Sequence, residues 1–385
     1  MALLERLILA SFANPAGLTR LELEELTGLS RTVVAGVVAS LVARGELVET
    51  RQSPTPGTRG RPPTRYQRAA LLPPVLLIQL GKDGSTSASS VRGNSARSRV
   101  YDCAPWSESW PTWSRTVADT VGQLRARAQV PPRLAVLSVP FPVAEGQGAP
   151  RMYEVSAADL KMMGRRMPPS SPWLDKDPRP AVSELLGCTA LMVNDANLAA
   201  LGEARFGAGR GRRAVVHVSV VNGIGAGFVF GGRLFTGAHG FSGELAHVQI
   251  TPDGYPCVCG NRGCLATESP LRPDQAGQQA PPPGQLAELG SLVGRAIAPL
   301  VTALDPDCVV VDARLGRKAG LFIAGVTAEL ARRCPPELAG GLAVVAGELQ
   351  DAERFGTLAA ADAYAATLVS EPTWPALLPA AESRI

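Results

Sequence analysis

Ala214-Val215-Val216-His217-Val218-Ser219-Val220-Val221, then Asn222, then Gly223-Ile224-Gly225-Ala226-Gly227, is a β-branched apolar run that breaks into glycine. Valine's stiff side chain suits a pleated strand. Gly223 to Gly227 read as a loop whose backbone N–H groups approach an anion, ahead of another strand at Phe228–Phe230. Further strands are expected at Val75–Leu80, Leu134–Val139, Leu191–Val193 and Cys308–Val311. They alternate with helical patterns over roughly 300 residues, which implies an α/β architecture. Asn194-Asp195-Ala196-Asn197 lies between the strand ending at Val193 and the helical run Leu198–Phe206. An acid at the carboxyl end of a strand is where α/β folds place ligand chemistry. The plainer reading of Asp195 is a helix cap.

The 385 residues are 45% hydrophobic and 19% charged, enough apolar material for a sizeable core, and wholesale disorder is ruled out. A net charge of +4 is too small to make the whole chain a polyanion binder, so basic charge must be sought locally. No segment reads as membrane-spanning. The longest uncharged apolar stretch, Ala214 to Gly232, holds His217, Asn222 and five glycines. Met1 to Ala13 carries Glu5 and Arg6 and reads as an amphipathic first helix, not a signal peptide. Seven cysteines, three of them at Cys257, Cys259 and Cys264, point to a metal site in a reducing cytoplasm.

His247 with those three cysteines makes a Cys3His set, which suits structural zinc; buried metal-free thiols are the alternative. Glu244 stands three residues before His247. A carboxylate held rigid there is a good acceptor for sugar hydroxyls, although alone it would read as an ordinary exposed glutamate.

Helical patterns at Leu3–Ala10, Arg20–Leu26 and Arg31–Ala43 precede Gly45-Glu46-Leu47-Val48-Glu49-Thr50, which looks like the first strand of a wing. Thr27-Gly28-Leu29-Ser30 joins the second helix to the third with a left-handed stop and a cap. Leu23, Leu26, Leu29, Val34, Val38 and Leu41 supply an inward face. This is the spacing of a winged helix-turn-helix that binds duplex DNA, with a helical dimerisation module as the alternative. Arg31, Thr32, Val33 and Ser40 are the candidate DNA contacts on the third helix. The stretch from Arg51 to Arg68 holds five arginines and no acid. It reads as a cationic arm, with Arg59 and Arg61 at its centre, or as a solvated linker.

Together these pieces resemble the ROK family of repressors, open reading frames and kinases. The resemblance rests on Leu26-Thr27-Gly28-Leu29-Ser30-Arg31, Gly60-Arg61-Pro62-Pro63, Asn194-Asp195-Ala196-Asn197, Gly223 to Gly227, Gly240 to His247, and Cys257-Val258-Cys259-Gly260-Asn261-Arg262-Gly263-Cys264-Leu265. It implies a winged helix over residues 1–68 and a two-lobed, actin-like (ribonuclease-H-like) domain over residues 69–385, with a zinc knuckle at about 247–264. By the same resemblance Asn194, Asp195, Glu244 and His247 contact a sugar, Asp195 matches the kinases' general base, and His247, Cys257, Cys259 and Cys264 bind zinc.

Departures from the kinase pattern count equally. Gln79 replaces the acid of the first phosphate loop, Asn222 a threonine, and Asp312-Ala313 a nucleotide-contacting Gly-Gly. A carboxylate at position 312 is expected to repel ATP phosphates. On the sugar side Phe141 replaces a glycine and Ala266 a glutamate. The expectation is a DNA-binding repressor, a homodimer or higher oligomer. It would sense a sugar or sugar derivative through a non-catalytic domain in which Asp195 is a vestigial base. The alternative is an ATP-dependent hexose or amino-hexose kinase.

Overall fold

The computed structural model describes residues 2–12, 17–43, 47–50, 64–68, 74–91, 99–127, 132–150, 154–163, 167–220, 223–270 and 283–369. Arg59, Arg61, the Gly60–Pro63 motif and Asn222 lie outside these residues.

The N-terminal unit comprises α1 (Ala2–Ser11), β1 (Leu18–Thr19), α2 (Arg20–Thr27), α3 (Arg31–Ala43), β2 (Leu47–Thr50) and β3 (Arg65–Arg68). Its strands form an antiparallel sheet in the order β1-β3-β2. Thr19 caps α2 reciprocally: its Oγ1 accepts from Glu22 N at 3.2 Å, and Glu22 Oε2 accepts from Thr19 N at 2.7 Å. Glu22 also pairs with Arg65 at 2.8 Å, and Arg65 donates to the Gly17 carbonyl at 2.6 Å. Arg65, counted in the cationic arm, is therefore a strut between β3 and α2.

Ile8, Leu23, Val34, Val38, Leu41, Leu47 and Tyr66 pack into one core. Leu26, expected to face inward, is 63% exposed. The short α2 buries only Leu23.

Two five-stranded sheets follow. The first is built from β4 (Val75–Leu80), β5 (Thr86–Val91), β6 (Val100–Cys103), α4 (Trp110–Ala126), β7 (Leu134–Val139), α5 (Ala157–Met163), α6 (Arg179–Leu186), β8 (Thr189–Asn194) and α7 (Asp195–Phe206). The second is built from β9 (Ala214–Ser219), β10 (Gly225–Phe230), β11 (Arg233–Phe235), α8 (Leu265–Glu268), α9 (Pro283–Leu304), β12 (Cys308–Val311), α10 (Ala319–Arg333), α11 (Pro336–Gly341), β13 (Ala343–Ala346) and α12 (Ala352–Val369). Strand orders are β6-β5-β4-β7-β8 and β11-β10-β9-β12-β13. In each, the first three strands in sequence pair antiparallel and the last two add in parallel. The chain thus repeats one plan twice, a period too long to see as a sequence repeat.

The helix after the first sheet's last strand, α7, packs against both sheets, and α12, after the second sheet's last strand, packs on α7 and the first sheet. Leu198 of α7 joins Val75 and Val136 of the first sheet, while Ala200 joins Val215 and Val310 of the second. Leu358 of α12 packs on Leu77 and Val91. The two helices touch through backbone. A Cβ on Gly356 would lie 1.8 Å from the Leu198 carbonyl oxygen, and one on Gly202 2.1 Å from that of Ala352. Buried Glu203 ties the pair further by accepting from Ala208 N, Glu348 N and Leu349 N at 2.8, 3.2 and 2.8 Å.

The same closeness corrects the expected anion loop. Gly225 and Gly227 belong to β10, and a Cβ on Gly227 would stand 2.4 Å from the Ala200 side chain. Glycine lets α7 lie on that strand. Gly284–Leu304 of α9 is long and apolar enough to cross a membrane, and half of it is buried, with Val293, Ile297 and Val301 in the second sheet's core.

Gly356→Ala is expected to cost ~1–3 kcal/mol by overpacking backbone on backbone. Gly36→Ala, in a helix where a Cβ meets nothing within 4 Å, is expected to add ~1 kcal/mol. Urea unfolding of both variants checks the pair; equal and small effects would contradict this account of the crossing.

Candidate functional site

Where β8 passes into α7, Asn194 is the N-cap: its Oδ1 accepts from Asn197 N at 3.1 Å and its Nδ2 donates to the Phe141 carbonyl at 3.2 Å. Asn194 thereby pins the loop after β7. Asp195 is the first helical residue, with one oxygen on Ala196 N at 2.7 Å. It faces a cavity of about 180 Å³ between the β4–β5 turn and the N-termini of α7 and α12. Gln79, Lys82, Ser85, Ser87 and Glu353 also line that cavity.

Glu353 was not anticipated from the sequence, where it is one acid in an otherwise alanine-rich helical run. Its Oε2 accepts from Gln79 Nε2 at 2.8 Å and from Ser138 Oγ at 3.1 Å. Burial, and then the neighbouring Asp195, push its carboxyl up to about 7, although Gln79, Arg314 and Ser138 oppose the rise. Gln79 thus donates to a carboxylate of this chain.

Asp312 behaves differently from expectation. It is buried, caps Arg314 N at 3.0 Å, pairs with the Arg314 guanidinium at 2.9 and 2.6 Å, and accepts from Ser219 Oγ at 3.1 Å. Burial would raise its carboxyl, yet the Arg314 bonds and charge hold it below the usual range. The Asp312 charge is matched locally, and the carboxylates facing the cavity are Asp195 and Glu353. Phe141, past the end of β7, packs on the first sheet's core. Glu268, two residues past Ala266, is engaged with Tyr255 N at 3.1 Å.

Lys82 reaches from the β4–β5 turn toward the second sheet. Its Nζ stands 3.0 Å from where a Cβ on Gly223 would be. Glu244 is pushed up to about 7 by burial; Lys82 opposes this and Asp195 adds to it. His247, with its pKa lowered by burial and then by Lys82, sits with Nε2 3.9 Å from Glu244 Oε2 and Nδ1 3.4 Å from Cys257 Sγ.

The ligand atoms of His247, Cys257, Cys259 and Cys264 all lie within 4.8 Å of one another, with Cys259 and Cys264 Sγ 3.6 Å apart. Tetrahedral zinc with bonds of about 2.3 Å needs sulfur–sulfur separations near 3.8 Å, so the set fits. Burial raises the Cys257 and Cys264 thiols, which leaves a cation as the natural partner that would deprotonate them. His247 presents one ring nitrogen to this set and the other to Glu244, as a metal-bound histidine does to its supporting carboxylate.

Of the expected DNA contacts, Arg31 and Thr32 are exposed at the start of α3. Ser40 is half-buried, and Val33 is packed against the N-terminal core.

Residues 161–269 match the ROK family model, a span holding Asn194, Asp195, Glu244 and the whole Cys3His set. Over that span the chain is similar to the ROK family. It is 40% identical over 96 residues to the xylose repressor of Bacillus subtilis, a match covering 25% of each chain. It is 36% identical over 96 residues to the glucokinase of Streptomyces coelicolor, covering 25% of this chain and 30% of that one. The chain thus spans between a quarter and a third of the length of these curated relatives. A solved ROK family transcriptional regulator, a homologue of the E. coli MLC protein, superposes with a TM-score of 0.63 at 20% identity, over 94% of this chain and 95% of that one. At that identity the likeness concerns the fold.

Two outcomes are expected. Purified protein should carry one zinc per chain by elemental analysis, and Cys259→Ser should lose it with a lowered melting temperature; a zinc-free, equally stable wild type would remove the knuckle. A carboxyl raised on folding binds more protons folded than unfolded, so stability falls as pH climbs from 4.5 toward 7. Glu353→Gln, which keeps both acceptor contacts, should therefore gain on the wild type by on the order of 3 kcal/mol more at pH 8 than at pH 4. A pH-independent difference in urea unfolding would contradict this.

Proposed function

We propose that this ROK protein is a DNA-binding transcriptional regulator, a repressor, whose two-lobed domain senses a sugar or sugar derivative without phosphorylating it. The observation that carries the proposal is the N-terminal helix pair. The axes of α2 and α3 differ by 116°, turning at Gly28 in the left-handed region (φ 68°), with the α3 N-terminus exposed. Such a pair suits a helix-turn-helix, in which β2 and β3 would serve as the strands of a wing. Arg31 and Thr32 would meet the duplex, with Ser40 further along α3. Arg59 and Arg61, on the arm between β2 and β3, would contact phosphate or the minor groove. The name of the Bacillus relative supports the same reading.

Asp195, Glu244 and His247 would receive the sugar hydroxyls, with Asn194 fixing the loop above them. Zinc on His247, Cys257, Cys259 and Cys264 would hold His247 and its Glu244 neighbour rigid. In this reading the N-terminal domain ends near residue 68 and a homodimer places two reading heads on two half-sites. The sugar alters DNA affinity only as far as it prefers one lobe arrangement over the other. The cavity's carboxylates favour a non-catalytic role, because phosphoryl transfer rests on positioning and charge neutralisation. An ATP-dependent sugar kinase is the second reading, favoured by the identity to a glucokinase.

Selection of bound duplexes from a random pool, repeated with a panel of sugars, tests the proposal. A defined operator whose affinity changes at least tenfold with one sugar is expected. Arg61→Ala should weaken binding to every duplex and lower the salt slope by about one. Indifference of the protein to all duplexes, or sugar phosphorylation abolished by Asp195→Asn, would overturn it.

A further inference from the structure

The cavity at the α7 and α12 N-termini has an uneven charge. Of its lining side chains Lys82 is the cation, and Asp195 and Glu353 are the carboxylates. Arg314, which interacts electrostatically with both acids, is bound by Asp312 and Ser219. Lys82 is directed toward Glu244 and Gly223.

Glu353 is fixed in this position. Gln79 and Ser138, from two neighbouring strands of the first sheet, both donate to its Oε2. Those donors favour the ionised acid and leave its other oxygen directed elsewhere. An anion entering from the β4–β5 turn would meet Glu353 and Asp195 with one lysine to offset them. One of the two N–H groups of the Gln79 amide is engaged by Glu353.

We infer that Glu353 is the specificity-determining residue of the cleft: it closes the end beside the β4–β5 turn to phosphate groups and limits the ligand to an uncharged polyol. The inference rests on the sugar-binding reading above for the identity of the ligand, but the exclusion of anions can be measured without any sugar. Sugar phosphates and nucleotides are refused for one reason, the repulsion of their phosphate by a built-in carboxylate. A neutral sugar avoids that end.

Titration calorimetry of the full chain with inorganic pyrophosphate at pH 8 and 0.15 M salt tests this. The wild type is expected to show no binding at millimolar ligand. Glu353→Gln, which retains the acceptor for Gln79 and Ser138, should bind at least ten times more tightly. Glu353→Asp, which loosens packing but keeps the charge, should stay silent. Equal binding by all three proteins, gain in the aspartate variant, or silence in the glutamine variant would each overturn the inference. A parallel arm compares a neutral hexose with its 6-phosphate. If no sugar binds yet Glu353→Gln gains pyrophosphate, the sensor reading fails while the anion barrier stands. If the wild type prefers the hexose phosphate, the barrier itself is wrong.

Discussion

Backbone contact between α7 and α12 is the constraint on which the site depends. Each helix begins beyond the last strand of its own sheet, and each crosses the other at a glycine. Because Gly202 and Gly356 bring the axes together without side chains between them, the two N-termini open on the same cavity. Asp195 and Glu353, the first and second residues of their helices, are carried there by the crossing. The positive ends of two helix dipoles then help to hold two carboxylates closer than they would otherwise remain. Glu203 locks the arrangement from the far end of α7 by collecting three backbone N–H groups from the turns that flank it.

The chemistry of the cleft follows from that placement. Unit charges about 4 Å apart near a protein surface interact by on the order of 4 kcal/mol, whereas a single neutral hydrogen bond contributes about 1 kcal/mol net. Charge therefore outweighs hydrogen bonding in deciding which ligand groups are admitted. Asp312 and Arg314 pair with one another, and under the proposed anion barrier it is Asp195 and Glu353 that govern entry. On the opposite side His247 shows one ring nitrogen to the cysteines and the other to Glu244. His247 is therefore the side chain common to the Cys3His set and the Glu244 neighbourhood.

Much of this was legible in the chain. The capping residues around Gly28 fix α2 and α3, valine-rich runs fix the inner strands, and the cysteine spacing fixes the knuckle. What escaped has physical causes. Gly225 and Gly227 look like an anion loop because loop and close-packing glycines are identical in sequence, and only the position of α7 distinguishes them. Leu26 looks like core because a two-turn helix offers too few residues to define its buried face. Asp312 looks like a barrier to phosphate because its partner Arg314, two residues on, reveals itself only in three dimensions. Glu353 gives no local signal at all, since its partners Gln79 and Ser138 are more than two hundred residues away.

The central claim, a proposal, is that Glu353 sets a carboxylate of this chain in the cleft and so turns phosphate groups away. Equilibrium dialysis of the full-length protein against the magnesium complex of a non-hydrolysable ATP analogue tests it most directly. No retention of nucleotide at millimolar concentration, with or without sugar, is predicted. Stoichiometric retention at micromolar concentration would contradict the account.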